Sequence, residues 1–250
     1  MTTALNLALD QAVLLGLICF AAGVIRGFSG FALSAVVMAA AALIIPPVQL
    51  IPMLLILEMA ASLLMIRQGF AQADKRISFG LALGSAVGLP LGLLLTLSIS
   101  PDASRLVALA LIIALAVAQL ARIRMAFLAT NAGLASAGIA SGVTAGLSGA
   151  GGMVVALYVL AQDIAAGRMR ASLVLYLMVS VLLAMVTHVI VGTLDAQALV
   201  RGLVFAVPST LGVMVGRICF VPKWERYYKP FCLCLLIALA VFGVARLALG

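Results

Sequence analysis

The chain has 250 residues, 66% of them hydrophobic and 9% charged, with a formal net charge of +8. That balance excludes a soluble globular domain, since the polar residues are too few to cover one. The positive charge does not point to nucleic acid either, because the basic residues fall in short loops between apolar runs, the positive-inside pattern of membrane proteins.

In chain order, the opening MTTALNLALDQ has no basic residue before Arg26. It lacks the charged start of a signal peptide and is expected to be retained in the first helix. A long apolar segment, about 10–45, follows and contains GVIRGFSG at 23–30. Helices are then expected at 52–66, which carries Glu58, at 77–99 and at 105–121. A second long segment, about 132–161, contains GVTAGLSG at 142–149 and precedes helices at 171–191, 202–220 and 230–249. Each run after a long segment is near the ~20 residues that cross a bilayer. In lipid the backbone must satisfy its own hydrogen bonds, so these runs are helical. The fold class is an all-α polytopic membrane protein, with one membrane domain over 1–250. Pro90 and Pro208 are expected to kink or open their helices.

The two long segments are copies. Gly23, Val24, Gly27, Ser29 and Gly30 align with Gly142, Val143, Gly146, Ser148 and Gly149 at an offset of 119 residues. LIIALAV at 111–117 aligns with LLIALAV at 235–241 at an offset of 124, and Gly88 and Gly92 fall on Gly212 and Gly216 at that same offset. Two repeats are therefore expected, 1–124 and 125–250. Each long segment exceeds one upright crossing at 1.5 Å per residue. If each bends back at its SG dipeptide, eleven basic residues from Arg67 to Lys229 share one side and only Arg105, Arg201 and Arg246 lie on the other. A single crossing instead splits them evenly, so the hairpin is favoured, with both termini outside. Trp224, Tyr227 and Tyr228 then belong to a cytoplasmic loop. Each half makes an odd number of crossings, so the repeats are inverted, an architecture of many secondary transporters.

Arg26 sits at the first turn, and an intramembrane arginine is expensive enough to imply function. Its planar fork suits sulfonate, carboxylate or phosphate oxygens, and free helix-end amides attract anions. Arg26, Ser29, Gly30, Ser148, Gly149, Gly151 and Gly152 are the candidate substrate ligands. Gly23, Gly27, Gly142 and Gly146 are candidate hinges, and Gly84, Gly88, Gly92, Gly212 and Gly216 carry small-residue packing spacing. Ala145 stands where the first copy has Arg26, so any site is asymmetric. Glu58 is either a counter-ion to Arg26 or a proton-coupling group. His188, the sole histidine, either bonds a neighbouring helix or relays protons.

Cys19, Cys219, Cys232 and Cys234 form no CxxC pair and read as buried apolar residues, so no metal or redox cofactor is expected. There is no GxxxxGK[ST] motif, so active transport would draw on an ion gradient. An enzyme reading exists, since GFSG and GLSG fit the G-x-S-G of rhomboid proteases and His188 follows Ser148. It leaves Arg26 without a role, and only the second copy has a histidine downstream.

These residues resemble the sulfite exporter TauE/SafE permeases, also called the toluenesulfonate uptake permease family. The resemblance rests on the two halves, each opening with G-x-x-x-G-x-x-G and closing with a P/G-x-x-x-G-x-x-x-G helix, and covers essentially the whole chain. It implies a bacterial inner-membrane secondary carrier for small organosulfur or related anions. The family motif carries over onto Gly23, Gly27, Ser29, Gly30, Gly142, Gly146, Ser148 and Gly149. AGG at 150–152 matches the family's glycine cluster, whereas the first copy has FAL at 31–33. The expected partners are a small anion, the bilayer and coupled protons, and the glycine faces leave a homo-oligomer open; a carboxylate carrier of the same fold is the alternative.

Overall fold

The computed structural model describes residues 5–42, 44–120, 130–161 and 165–220, with Phe231, Cys234 and Ala238 beyond them. The expected helix at 230–249, the aromatic cluster Trp224–Tyr228 and Cys232 lie outside the described residues. Among the described residues there is helix and no strand. The helices are α1 (Leu9–Ser29), α2 (Leu33–Ala41), α3 (Pro47–Gln72), α4 (Lys75–Ser98), α5 (Pro101–Leu120), α6 (Asn131–Ser148), α7 (Gly151–Ala161), α8 (Ala166–Val191) and α9 (Ala196–Cys219). Five of them, α1, α3, α4, α8 and α9, hold stretches long and apolar enough to cross a membrane.

Local chemistry sets the boundaries. Asp74, Thr130 and Asp195 cap α4, α6 and α9, accepting from Ile77 N, Gly133 N and Ala198 N at 3.2, 3.0 and 2.7 Å. Side-chain oxygens there satisfy amides that a helix start leaves open. Gly30 and Gly149 end α1 and α6 with φ of 84° and 68°, in the left-handed region that glycine enters without strain. Ala32 also takes a left-handed φ of 77°, so the first break holds a strained residue where the second has Gly151. Pro52, Pro90 and Pro208 lie within α3, α4 and α9, and each helix continues past its proline.

The contacts fix two ends of the molecule. At one end Arg201 donates to Leu5 O and Gln49 Oε1, and Arg105 Nε donates to Ala42 O. At the other, Asp74 N donates to Ser172 Oγ, Arg217 Nη1 to Leu64 O and Arg170 to the Gly27 and Phe28 carbonyls. α1 leaves the Arg201 end, breaks level with Glu58 and Ser62, and α2 carries the chain back toward Arg105. α6 starts beside Arg76 at the Asp74 end, and Thr96 Oγ1 reaches Gly146 O near its far end. Ser141 Oγ then donates to Gly151 O at 2.7 Å, so α7 doubles back along α6. Both long segments are hairpins, broken where the SG dipeptides stand, and they open toward opposite ends.

Helix packing is equally reciprocal. α1 crosses α9, and α6 crosses α4. A Cβ on Gly23 would lie 2.2 Å from Ser209 O, and one on Gly212 would lie 2.1 Å from Phe20 O. In the other crossing the same substitution at Gly142 or Gly88 would meet Ser85 O or Ile139 O at 2.1 Å. Lipid supplies no hydrophobic force between helices, so close backbone approach at small residues has to provide the attraction. The packing role expected of Gly84, Gly88, Gly92, Gly212 and Gly216 is seen. The candidate hinges Gly23, Gly27, Gly142 and Gly146 share it: they lie within unbroken helices, and the breaks come at Gly30 and Gly149, three residues after Gly27 and Gly146. The outer faces carry exposed Leu83, Val87, Leu91 and Leu94 on α4 and Leu203, Val207, Leu211, Met214 and Ile218 on α9, suited to acyl chains.

Candidate functional site

The breaks place different chemistry at the two hairpin tips. At the first, Arg26 is fully buried. Its Nε donates to Glu58 Oε2 at 3.1 Å, its Nη2 to Ser62 Oγ at 3.1 Å and its Nη1 to Gly30 O. The guanidinium thus holds both the carboxylate on α3 and a carbonyl left open by the end of α1. Glu58 Oε1 accepts from Ser34 Oγ at 2.8 Å and from Ser34 N at 3.3 Å. The carboxylate caps the first turn of α2, where the helix dipole favours negative charge. The anion position at this helix start is filled by the protein's own side chain.

The second tip has no such carboxylate. Leu177 stands 119 residues after Glu58, the offset of the glycine motifs, and its side chain lies 3.3 Å from where a Gly152 Cβ would be. The amides at the start of α7, on Gly151 and Gly152, border a cavity. Its volume is about 60 Å³, room for a couple of waters or one small oxyanion at roughly 30 Å³ per water. Ser34, Glu58, Ser85, Gly149, Gly151, Gly152, Tyr176, Ser180 and His188 line it, with apolar walls from Leu54, Leu89, Leu177 and Val181. Tyr176 OH is held 2.6 Å from Ser141 Oγ and 3.4 Å from Ser85 Oγ, which fixes the ring at the cavity wall.

The structure therefore brings together Glu58, His188, Gly149, Gly151 and Gly152 out of the sequence candidates. Arg26, Ser29, Gly30 and Ser148 are not in the lining. Gly30 N and Gly149 N donate to Arg26 O and Ala145 O, so these two amides close helix ends and are not open to a ligand. Ser29 Oγ and Ser148 Oγ accept from Phe31 N and Ala150 N at 3.2 and 3.4 Å, a local use that stabilises each turn. Sequence reasoning missed Ser34, Ser85, Tyr176 and Ser180. Their signal was a hydroxyl inside an apolar run, which helix interiors also carry for packing alone.

His188 is fully buried; its Nδ1 lies 2.7 Å from Thr193 Oγ1, and its Nε2 has no hydrogen-bond partner. It makes no bond to Ser148, whose Oγ donates to Thr144 O, so the two do not form a protease dyad. Among the described residues no group of three histidines, cysteines or acids could hold a metal, and Cys19, Cys219 and Cys234 are free thiols. Cys219 and Cys234 are exposed, against the expectation of burial.

Among known proteins, the profile of the family described as sulfite exporter TauE/SafE matches residues 15–243. No curated protein and no solved structure matches the chain. The match runs from the first helix past α9 and takes in both hairpins and the cavity between them. The chain belongs to the sulfite exporter TauE/SafE family, a family of membrane permeases.

Proposed function

We propose that the protein is a secondary carrier of small sulfur oxyanions or organosulfonates, and that the cavity between the hairpin tips is its substrate site. The observation that carries this reading is the glycine-rich start of α7, where Gly151 and Gly152 border the cavity and a helix start leaves its first-turn amides open, in a family of sulfite permeases. The Ser85 hydroxyl supplies a further donor, Tyr176 OH being spent on Ser141 Oγ, and the small volume selects compact anions. Arg26 acts in this reading as a positioning residue: it balances Glu58 and holds the first tip, and does not touch substrate.

The transport cycle in this proposal is alternating access between two inverted repeats, 1–124 and 125–250. Hairpins that open toward opposite ends, and the reciprocal α1–α9 and α6–α4 crossings, support it. The Asp74 end holds Arg67, Lys75, Arg76, Arg168, Arg170 and Arg217 at its helix ends, which supports placing it in the cytoplasm with the protein in a bacterial inner membrane.

Thermal unfolding of the detergent-purified protein in a panel of anions tests the substrate class. Sulfite, methanesulfonate or sulfoacetate at about 100 times its dissociation constant should add about 2.7 kcal/mol of stability. Gly152→Val, whose Cβ would press on Leu177 at 3.3 Å at the cavity wall, should abolish that gain, with a lower unliganded midpoint from the same crowding. Equal stabilisation of both proteins would place binding elsewhere. Stabilisation by acetate or formate alone would make the substrate a carboxylate.

A further inference from the structure

The cavity presents an anion with a difficulty. Glu58 brings a carboxylate to the lining, while Arg26, which balances it, bonds Glu58, Ser62 and Gly30 O from behind and does not border the space. Among the described residues, an entering anion therefore meets one negative group and no fixed cation. A buried ion without a partner is strongly disfavoured, and amides and hydroxyls alone offset only part of that cost.

Among the described residues His188 is the one basic group in the lining. Nδ1 is engaged by Thr193, which does not border this cavity but lines a second pocket of about 190 Å³ with Gln49, Asp195 and Arg201 at the Arg201 end. His188 thus lines the first cavity and bonds a residue of the second pocket. Nε2, at its opposite edge, is buried and has no partner. An orphaned buried nitrogen at a cavity wall is a feature that native packing rarely leaves without a use. The charged and titratable groups that face this region are few. α3 brings Glu58, α8 brings Tyr176, and beyond Thr193 stand Asp195 and Arg201; α2, α4, α6 and α7 bring only uncharged groups to the lining.

We propose that the substrate anion is bound together with one proton, which His188 takes up on Nε2, so that the carrier moves the anion and H⁺ in the same direction. This rests on reading the cavity as the anion site. Neutral His188, with its Nδ1–H donated to Thr193 Oγ1, turns the Nε2 lone pair toward the cavity. A proton from water that enters with the substrate adds to Nε2, and the imidazolium donates Nε2–H to a substrate oxygen. The ion pair is neutral, and the Arg26–Glu58 pair beside it is already balanced. On the other side of the membrane the anion leaves, Nε2 returns its proton to water, and no bond of the substrate is broken.

The experiment is proton uptake by the purified full-length protein in weakly buffered detergent solution, titrated with methanesulfonate and ethanesulfonate, monoanions that stay ionised throughout. Binding should remove about one proton from solution per anion, and above the histidine's titration range affinity should fall about tenfold per pH unit. His188→Gln should bind at least about tenfold more weakly near neutral pH, with neither proton uptake nor pH dependence. Thr193→Val, which removes the acceptor for Nδ1–H and so disfavours the imidazolium, should keep uptake but shift its pH profile to lower pH. Wild-type binding without proton uptake overturns this inference and leaves the anion site standing, as does a pH dependence unchanged in both variants. Failure of the wild type to bind either sulfonate or sulfite overturns the anion-site reading and this inference with it.

Discussion

Arg26 shows how a single residue type carries two meanings. Its sequence context, a fixed charge beside three glycines, is equally suited to a ligand site and to an internal clamp. The structure gives it three protein acceptors, on Glu58, Ser62 and Gly30, and full burial. Removing one partner of a buried ion pair leaves an uncompensated charge, at a cost of about 3–5 kcal/mol, whereas replacing both by apolar residues is often near neutral. Arg26→Ala is therefore expected to lower the thermal midpoint in detergent by on the order of 10 °C. Arg26→Met with Glu58→Met should recover most of that loss. A single variant as stable as wild type would show that the pair is not a clamp. Glu58 was readable as a counter-ion from its isolation in PMLLILEMAASLLMI, but its second role, capping α2 through Ser34, was not.

At the scale of the element, glycine spacing was legible and glycine function was only partly so. The motif GxxxGxxG predicted irregular backbone, and the breaks do follow Ser29 and Ser148. Yet Gly23, Gly27, Gly142 and Gly146 serve contact with α9 and α4, because a Cβ at any of them would lie within 2.4 Å of backbone on the facing helix. Gly212→Val should therefore prevent correct assembly, seen as loss of a monodisperse peak on size exclusion, since Val would strike the Phe20 carbonyl. Gly16→Ala is the contrast: no atom lies within 4 Å of its Cβ position, and alanine's helix propensity should hold or raise the midpoint. A destabilised Gly16→Ala with a tolerated Gly212→Val would reverse this assignment.

For the whole molecule, the proposed inversion and orientation make a prediction about sidedness. On a cysteine-free background, single cysteines placed at Asp102 or Asp195 should react with a membrane-impermeant maleimide in intact cells. Cysteines at Lys75 or Arg168 should react only after the membrane is opened. Labelling of all four from outside would sink the orientation, and labelling of Asp102 and Lys75 together would sink the assignment of two opposite ends.

The sequence by itself determined the membrane class, the positions of nearly every helix and the two breaks. Those properties follow from the bilayer: a thickness that sets run length, a solvent that forbids open backbone, and glycines that mark where a helix ends. It also showed that the two glycine motifs differ at Arg26 and Ala145. Only the tertiary structure decided which groups meet. Whether a hydroxyl or an amide faces a cavity depends on the rotation and depth of helices packed from distant parts of the chain, and no period in the sequence records that. Glu58 turned to cap one helix start, Leu177 left the other open, and His188 and Tyr176 came to the same wall from one helix. The site is where those rotations converge.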